Sequence, residues 1–129
     1  MKTVVICGSK RFKPEIREFA KKLKEKGITV YEPYLHEGKE EWSKLSQKYK
    51  DFIALGLTHD HFYKIRMADI VFVYNKDGYS GNSITLEIGY AVALGKPIYA
   101  LSDKDEELCR KVLFRGVISS PEALLEKVN

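Results

Sequence analysis

The sequence predicts an α/β domain built on a parallel sheet, because five short apolar runs alternate with segments of helical periodicity along its 129 residues. The two strongest runs, Thr3 to Cys7 (TVVIC) and Ile70 to Tyr74 (IVFVY), are rich in β-branched residues and unbroken, as in strands buried on both faces. Strands that alternate with helices pair in parallel, and the crossover helices then cover both faces of the sheet. A chain of this length forms one domain, residues 1–129, and buries a core without disulfides or a structural metal.

After the first strand, Pro14 opens a helix in which Ile16, Phe19, Ala20 and Leu23 recur at helical spacing, and Gly27 closes it. Ile28 to Tyr31 reads as the second strand. Between Glu37 and Leu57, Trp42, Leu45, Tyr49, Phe52 and Ile53 mark one face of a helix. Thr58 is expected to cap a further helix to about Met67, with Phe62 and Ile65 facing inward. Turn formers fill Asn75 to Gly81 after the third strand, and Ser83 is expected to cap a helix reaching Leu94. Gly95-Lys96-Pro97 ends that helix before a strand at Ile98 to Leu101. A helix around Asp105 to Val112, a short strand at Val117 to Ile118 and a last helix begun by Ser120-Pro121 complete five β-α units.

Composition narrows the function classes. Hydrophobic residues make up 44% and charged residues 31%, a globular balance and not a disordered one. The net charge of +4 comes from 22 basic and 18 acidic residues mixed along the chain, which suits a small anionic ligand better than nucleic acid. Cys7 and Cys109 show neither a pairing motif nor metal-ligand spacing, so a reducing compartment, the cytoplasm, is expected. The opening MKTVVICGSK does not read as a signal peptide, and no apolar run approaches the ~20 residues that span a bilayer. No membrane partner is expected.

Ligands of parallel sheets bind at the carboxyl ends of the strands. The loops to inspect are therefore Gly8 to Lys13 and Asn75 to Asn82. Beside the second, Ile84, Ile88, Ala91 and Leu94 mark the buried arc of a helix, and Glu87 falls inside it. An ionised carboxylate is costly there unless paired. Either Glu87 leans out to solvent at the positive end of the helix, or it is held as a nucleophile.

The glycine turn Gly8-Ser9-Lys10-Arg11, leading towards a helix amino terminus, suits a phosphate, with a forked contact from Arg11 and a hydroxyl from Ser9. A solvated basic loop is the plainer alternative. Gly81 and Ser83 offer further donors beside Glu87. Tyr31, Tyr34, Tyr79 and Tyr90 read as packing residues, with the alternative for Tyr79, which lies in the second loop, of covering a ligand ring. His59, Asp60 and His61 suggest a metal or proton transfer. Two histidines two apart on a helix point in different directions and no third ligand is suitably spaced, so no metal and no cofactor is expected. Proton transfer by Asp60 or His61 stays open beside a plain surface role. His36 has no partner readable in sequence.

Taken together, CGSKRF, MADIVFVYN and GYSGNSITLEIGYAVALGKPIYAL resemble the nucleoside 2-deoxyribosyltransferase family and its deoxynucleoside 5′-monophosphate N-glycosidase relatives over about 110 residues. The resemblance implies a flavodoxin-like three-layer sandwich. It implies that Glu87 attacks the anomeric carbon of a nucleoside or nucleotide, forming a glycosyl-enzyme as in retaining glycosidases. It implies that the loop Cys7, Gly8, Ser9 and Arg11, with Ser83, holds a 5′-phosphate, which favours hydrolysis of a nucleotide over transfer. Where the family carries an aspartate seven residues before the Ala-Asp of the third strand, this chain has His61, with Asp60 beside it. The family completes its site from a neighbouring subunit, so a homodimer or higher homo-oligomer is implied. The competing expectation is a nucleotide-sensing module of the same fold without catalysis.

Overall fold

The strand Val4–Gly8 (β1) is buried along its whole length, as an unbroken apolar run in a sheet covered on both faces must be. In the computed structural model, which describes residues 2–35 and 38–129, it is the second strand of a five-stranded parallel sheet. His36 and Glu37, at the start of the stretch hardest to read from sequence, lie outside the described residues. The other strands are Val30–Tyr31 (β2), Ile70–Tyr74 (β3), Ile98–Ala100 (β4) and Gly116–Val117 (β5). Their order is β2-β1-β3-β4-β5, the flavodoxin-like arrangement. Its topological switch point falls between β1 and β3, paired in register from Val4 with Ile70 to Gly8 with Tyr74.

The helices are Lys13–Glu25 (α1), Lys39–Lys44 (α2), Gln47–Met67 (α3), Asn82–Ala93 (α4), Leu108–Lys111 (α5) and Pro121–Val128 (α6). Alternation along the strands divides the core in two. Val4, Ile6, Ile70 and Phe72 pack against α1 and α6, with Phe19 stacked on Phe72 at 4.7 Å. Val5, Cys7, Val71 and Val73 face the opposite layer, where Ile65 of α3 and Ile84, Ile88 and Ala91 of α4 cover them. The result is a three-layer sandwich. Among the described residues no helix is long and apolar enough to cross a membrane.

Helix boundaries depart from expectation at two caps, and the helix expected around Asp105 to Val112 shortens to Leu108–Lys111, with Glu107 as its N-cap. The helix expected to begin at Thr58 begins a dozen residues earlier: Ser46 caps α3 by accepting the N–H of Tyr49 at 3.3 Å. Thr58 donates its hydroxyl back to the Ala54 carbonyl at 2.7 Å, which satisfies it within a continuous helix. The face read for Trp42, Leu45, Tyr49, Phe52 and Ile53 is split between α2 and α3, and Trp42, Tyr49 and Phe52 are 41%, 63% and 73% exposed. Likewise α4 starts before Ser83. Gly81 is its N-cap, its carbonyl taking the N–H of Thr85 at 3.1 Å and the Thr85 hydroxyl at 3.0 Å. Leu94, expected on the buried arc, is the C-cap of α4 and 41% exposed. Where turn chemistry was explicit the expectations hold: Gly27 adopts φ 84° after α1, and Ser120 caps α6 through the N–H of Ala123.

Candidate functional site

Period-two alternation in β1 turns Cys7 towards the α3–α4 layer, where the two helices each bring one polar side chain to the same point. From α3 comes His61, 6% exposed. From α4 comes Glu87, in the arc between Ile84 and Ile88, with a side chain 13% exposed. His61 Nε2 lies 3.2 Å from Glu87 Oε1 and 3.4 Å from Cys7 Sγ. The three potential ligand atoms all fall within 4.8 Å of one another, close enough to hold a metal ion. The approach of His61 to Glu87 lacks hydrogen-bond alignment, so Oε1 is buried without a hydrogen-bond partner, as is His61 Nδ1.

Burial sets the protonation of this group. Desolvation pushes Glu87 up from 4.5 to about 7, against a hydrogen bond from the Cys7 thiol that favours the anion. Desolvation, aided by the positive charge of Lys64, brings His61 down from 6.5 to about 4, against the pull of Asp60. Cys7 is raised well above its ordinary range by burial and by the Glu87 carboxylate beside it, so it stays a thiol that can donate. Near neutrality His61 and Cys7 are therefore neutral, and Glu87 is poised between acid and anion.

Glu87 and His61 form part of the wall of a cavity of about 450 Å³ at the carboxyl ends of β1 and β3. Gly8, Ser9 and Lys10 line it from the first loop, and Tyr79, Gly81 and Ser83 from the second. Asp60 also lines it, 3.0 Å from Lys64 and with a side chain 53% exposed. Cys7 does not reach the cavity, being fully buried behind Glu87. Arg11 is not in its wall either, since its guanidinium lies over the Tyr79 ring, 3.5 Å from the centroid. Ser9 is partly engaged, its Oγ accepting the N–H of Arg11 at 3.3 Å. A side chain at Gly8 would meet Ile16 Cδ1 at 2.6 Å and Tyr74 Cβ at 3.2 Å, so glycine lets the first loop leave the sheet here without displacing Ile16.

The Cys7–His61–Glu87 contact is what sequence spacing could not show, because its members come from three elements and Cys7 stands 54 residues from His61. The signal available was strand alternation, which puts Cys7 on the face α3 and α4 must cover. Lys10, Tyr34 and Leu57 also line the cavity.

A flavodoxin-like sheet with a buried carboxylate and a glycine-bearing basic loop at its switch point defines a class of α/β proteins that bind small molecules at the strand ends. Within that class the sequence profile of the nucleoside 2-deoxyribosyltransferases matches residues 4–124, and the chain belongs to this family of enzymes. The structure is similar to the 2-deoxyribosyltransferase of the psychrotolerant bacterium Bacillus psychrosaccharolyticus, with a TM-score of 0.64 and 18% identity over 95% of this chain and 89% of that one. It is also similar to a conserved protein from Enterococcus faecalis, with a TM-score of 0.63 and 21% identity over 99% of this chain and 97% of that one. Both likenesses are of fold. No curated protein sequence matches the chain.

Proposed function

We propose that the protein cleaves the N-glycosidic bond of a deoxyribonucleoside or ribonucleoside 5′-monophosphate, with Glu87 as nucleophile and water as the preferred acceptor. The observation that carries this reading is the Glu87 carboxylate, largely buried yet in the wall of a cavity whose other side is the Gly8–Lys10 loop. A carboxylate oxygen attacks the anomeric carbon, and the carbon–nitrogen bond breaks with its electron pair leaving on the base. The base takes a proton from the protonated form of His61 or Asp60, the two ionisable side chains of α3 in the cavity wall. Water then attacks the same carbon, giving a proton to the residue that protonated the base and releasing the sugar phosphate and free Glu87 with net retention.

The 5′-phosphate is assigned to the first loop because Gly8, Ser9 and the cation of Lys10 line the cavity there, where a 3-10 turn at Lys10–Phe12 leads directly into α1. A neutral sugar would not need the cation. Tyr79, half-exposed at the rim, is placed to cover the ligand. Two copies of the chain are proposed to pair through the exposed apolar residues of α3, and free Cys7 and Cys109 fit a cytoplasmic setting.

The test is release of free base, followed by chromatography, from each common deoxynucleoside and ribonucleoside monophosphate and from the matching nucleosides. Wild type should release base from monophosphates, and Glu87→Ala should lower the rate on the order of 10³-fold or more. Equal inertness of both proteins towards every base would overturn the assignment. Tight nucleotide binding without turnover would replace it with a sensing role.

A further inference from the structure

We propose that Cys7, His61 and Glu87 form a three-ligand site for Zn²⁺, with the fourth position open to the cavity. Thiolate, imidazole and carboxylate are the donors zinc takes, and three protein ligands plus water is its open coordination. With zinc–ligand bonds of about 2.0–2.3 Å in a tetrahedron, the sulfur–nitrogen edge is about 3.5 Å and the nitrogen–oxygen edge about 3.4 Å. The separations present are 3.4 Å from Cys7 Sγ to His61 Nε2 and 3.2 Å from that nitrogen to Glu87 Oε1.

The three ligands stand on β1, α3 and α4, elements packed into one core cluster, so the ion would meet donor atoms already held within 4.8 Å of one another. Glu87 Oε1 is buried and lacks a hydrogen-bond partner, and a cation would supply one. His61 and Glu87 both reach the cavity wall, which gives the ion an entry path and leaves room for a bound water. His61 Nδ1 has no second partner to stiffen the ring, unlike the histidines of resident metal sites. The geometry therefore fits a reversible site and not a permanent structural one. On binding, the Cys7 S–H bond breaks, its proton goes to solvent and a zinc–sulfur bond forms.

Occupancy would engage the Glu87 carboxylate, so zinc should compete with substrate and inhibit base release; that consequence rests on the proposed function, whereas the binding itself does not. The sequence holds two cysteines, and in a Cys109→Ser protein only Cys7 can give a thiolate-to-metal band. Metal-stripped Cys109→Ser protein titrated with Co²⁺ should develop a sulfur-to-cobalt charge-transfer band in the near ultraviolet and intense tetrahedral ligand-field bands, saturating at one ion per chain. Zn²⁺ should displace the cobalt. In competition with a chromogenic chelator, Cys7→Ala should weaken zinc binding at least about 100-fold, whereas His59→Asn should leave it unchanged. Absence of the charge-transfer band from folded Cys109→Ser protein overturns the proposal, as does unaltered zinc affinity in folded Cys7→Ala. Zinc bound in a protein that releases no base would sink the glycosidic reading alone.

Discussion

His61 Nε2 and Glu87 Oε1 stand 3.2 Å apart between α3 and α4, and the burial they share moves their proton affinities in opposite directions. Glu87 rises to about 7 and His61 falls to about 4, so between those values both are neutral in the folded chain. Unfolded, Glu87 ionises near 4.5 and His61 near 6.5. Glu87 therefore contributes stability that is full below 4.5 and lost as pH rises through 7. His61 contributes stability that is full above 6.5 and lost as pH falls through 4.

Between pH 4.5 and 6.5 these two contributions cancel in slope, which gives a prediction for single variants. Glu87→Gln should unmask the histidine, and its stability should rise by about 1.4 kcal/mol per pH unit across that interval. His61→Asn should unmask the carboxylate and show the opposite slope. Wild type should vary less than either. Urea unfolding at several pH values measures all three, and parallel curves would show that the pair does not titrate as the geometry requires.

Activity should follow the same carboxylate. Only ionised Glu87 is a nucleophile, so kcat/KM for base release should fall below an acid limb near pH 7. The Cys7 thiol beside the carboxylate favours its anion. Cys7→Ala should move the limb to higher pH, whereas Cys7→Ser, which keeps a donor, should restore most of the shift. A limb that ignores both substitutions would remove Cys7 from the positioning of Glu87.

The proton donor can be separated by leaving group. A base with high proton demand needs an acid in the transition state, and an activated aryl leaving group does not. The variant that loses about 10² to 10⁴-fold on natural bases but little on the aryl substrate identifies the acid, be it His61→Asn or Asp60→Asn. Equal losses on both substrates would assign that residue to binding.

The sequence made some of this legible and hid the rest for physical reasons. β3 was legible to the residue, because IVFVY is an unbroken β-branched and aromatic run between turn formers. Glu87 was legible as an anomaly, a charge on an apolar arc. The start of α3 was not, because Ser46 and Thr58 are both plausible caps and only tertiary packing selects between them. The first turns of α3 were misread in sidedness, since Tyr49 and Phe52 look like core residues but project where the sheet does not cover them. The role of His61 needed β1 beneath it, a contact between distant elements that no local spacing encodes.

A buried ion pair braces the first turn of the helix that carries Glu87. Asp105, its side chain fully buried, accepts from Arg110 Nε at 2.6 Å and Nη2 at 2.7 Å, and takes the N–H of Glu107 at 2.9 Å. Burial would raise its pKa, but these hydrogen bonds and the guanidinium charge hold it below the usual carboxylate range. Arg110 Nη1 also donates to Thr85 Oγ1 at 2.9 Å, which ties α5 to the first turn of α4, two residues before Glu87. Arg110→Ala should cost about 3–5 kcal/mol, because it leaves Asp105 buried and unpaired. Arg110→Lys should cost less but not nothing, since an ammonium cannot make the forked contact. Chemical denaturation at pH 7 checks both, and a loss under 1 kcal/mol for Arg110→Ala would show that solvent reaches Asp105.

The amino-terminal half of α3 carries the last prediction. Tyr49, Phe52 and Leu55 are 63%, 73% and 59% exposed within two helical turns, whereas His61 and Ile65 in the second half are buried against the sheet. One helix thus serves two surfaces, and its exposed apolar residues are the face through which two copies are proposed to pair. If two copies pair there, the chain should sediment as a dimer, and Phe52→Glu should shift it to monomer without lowering its melting temperature by more than a few degrees. Because α3 also carries His61 and Asp60, activity per chain should fall on dilution through the dimer dissociation range, and the Phe52→Glu monomer should be impaired at every concentration. A wild type that sediments as a monomer at high concentration would rule this face out as a self-association surface.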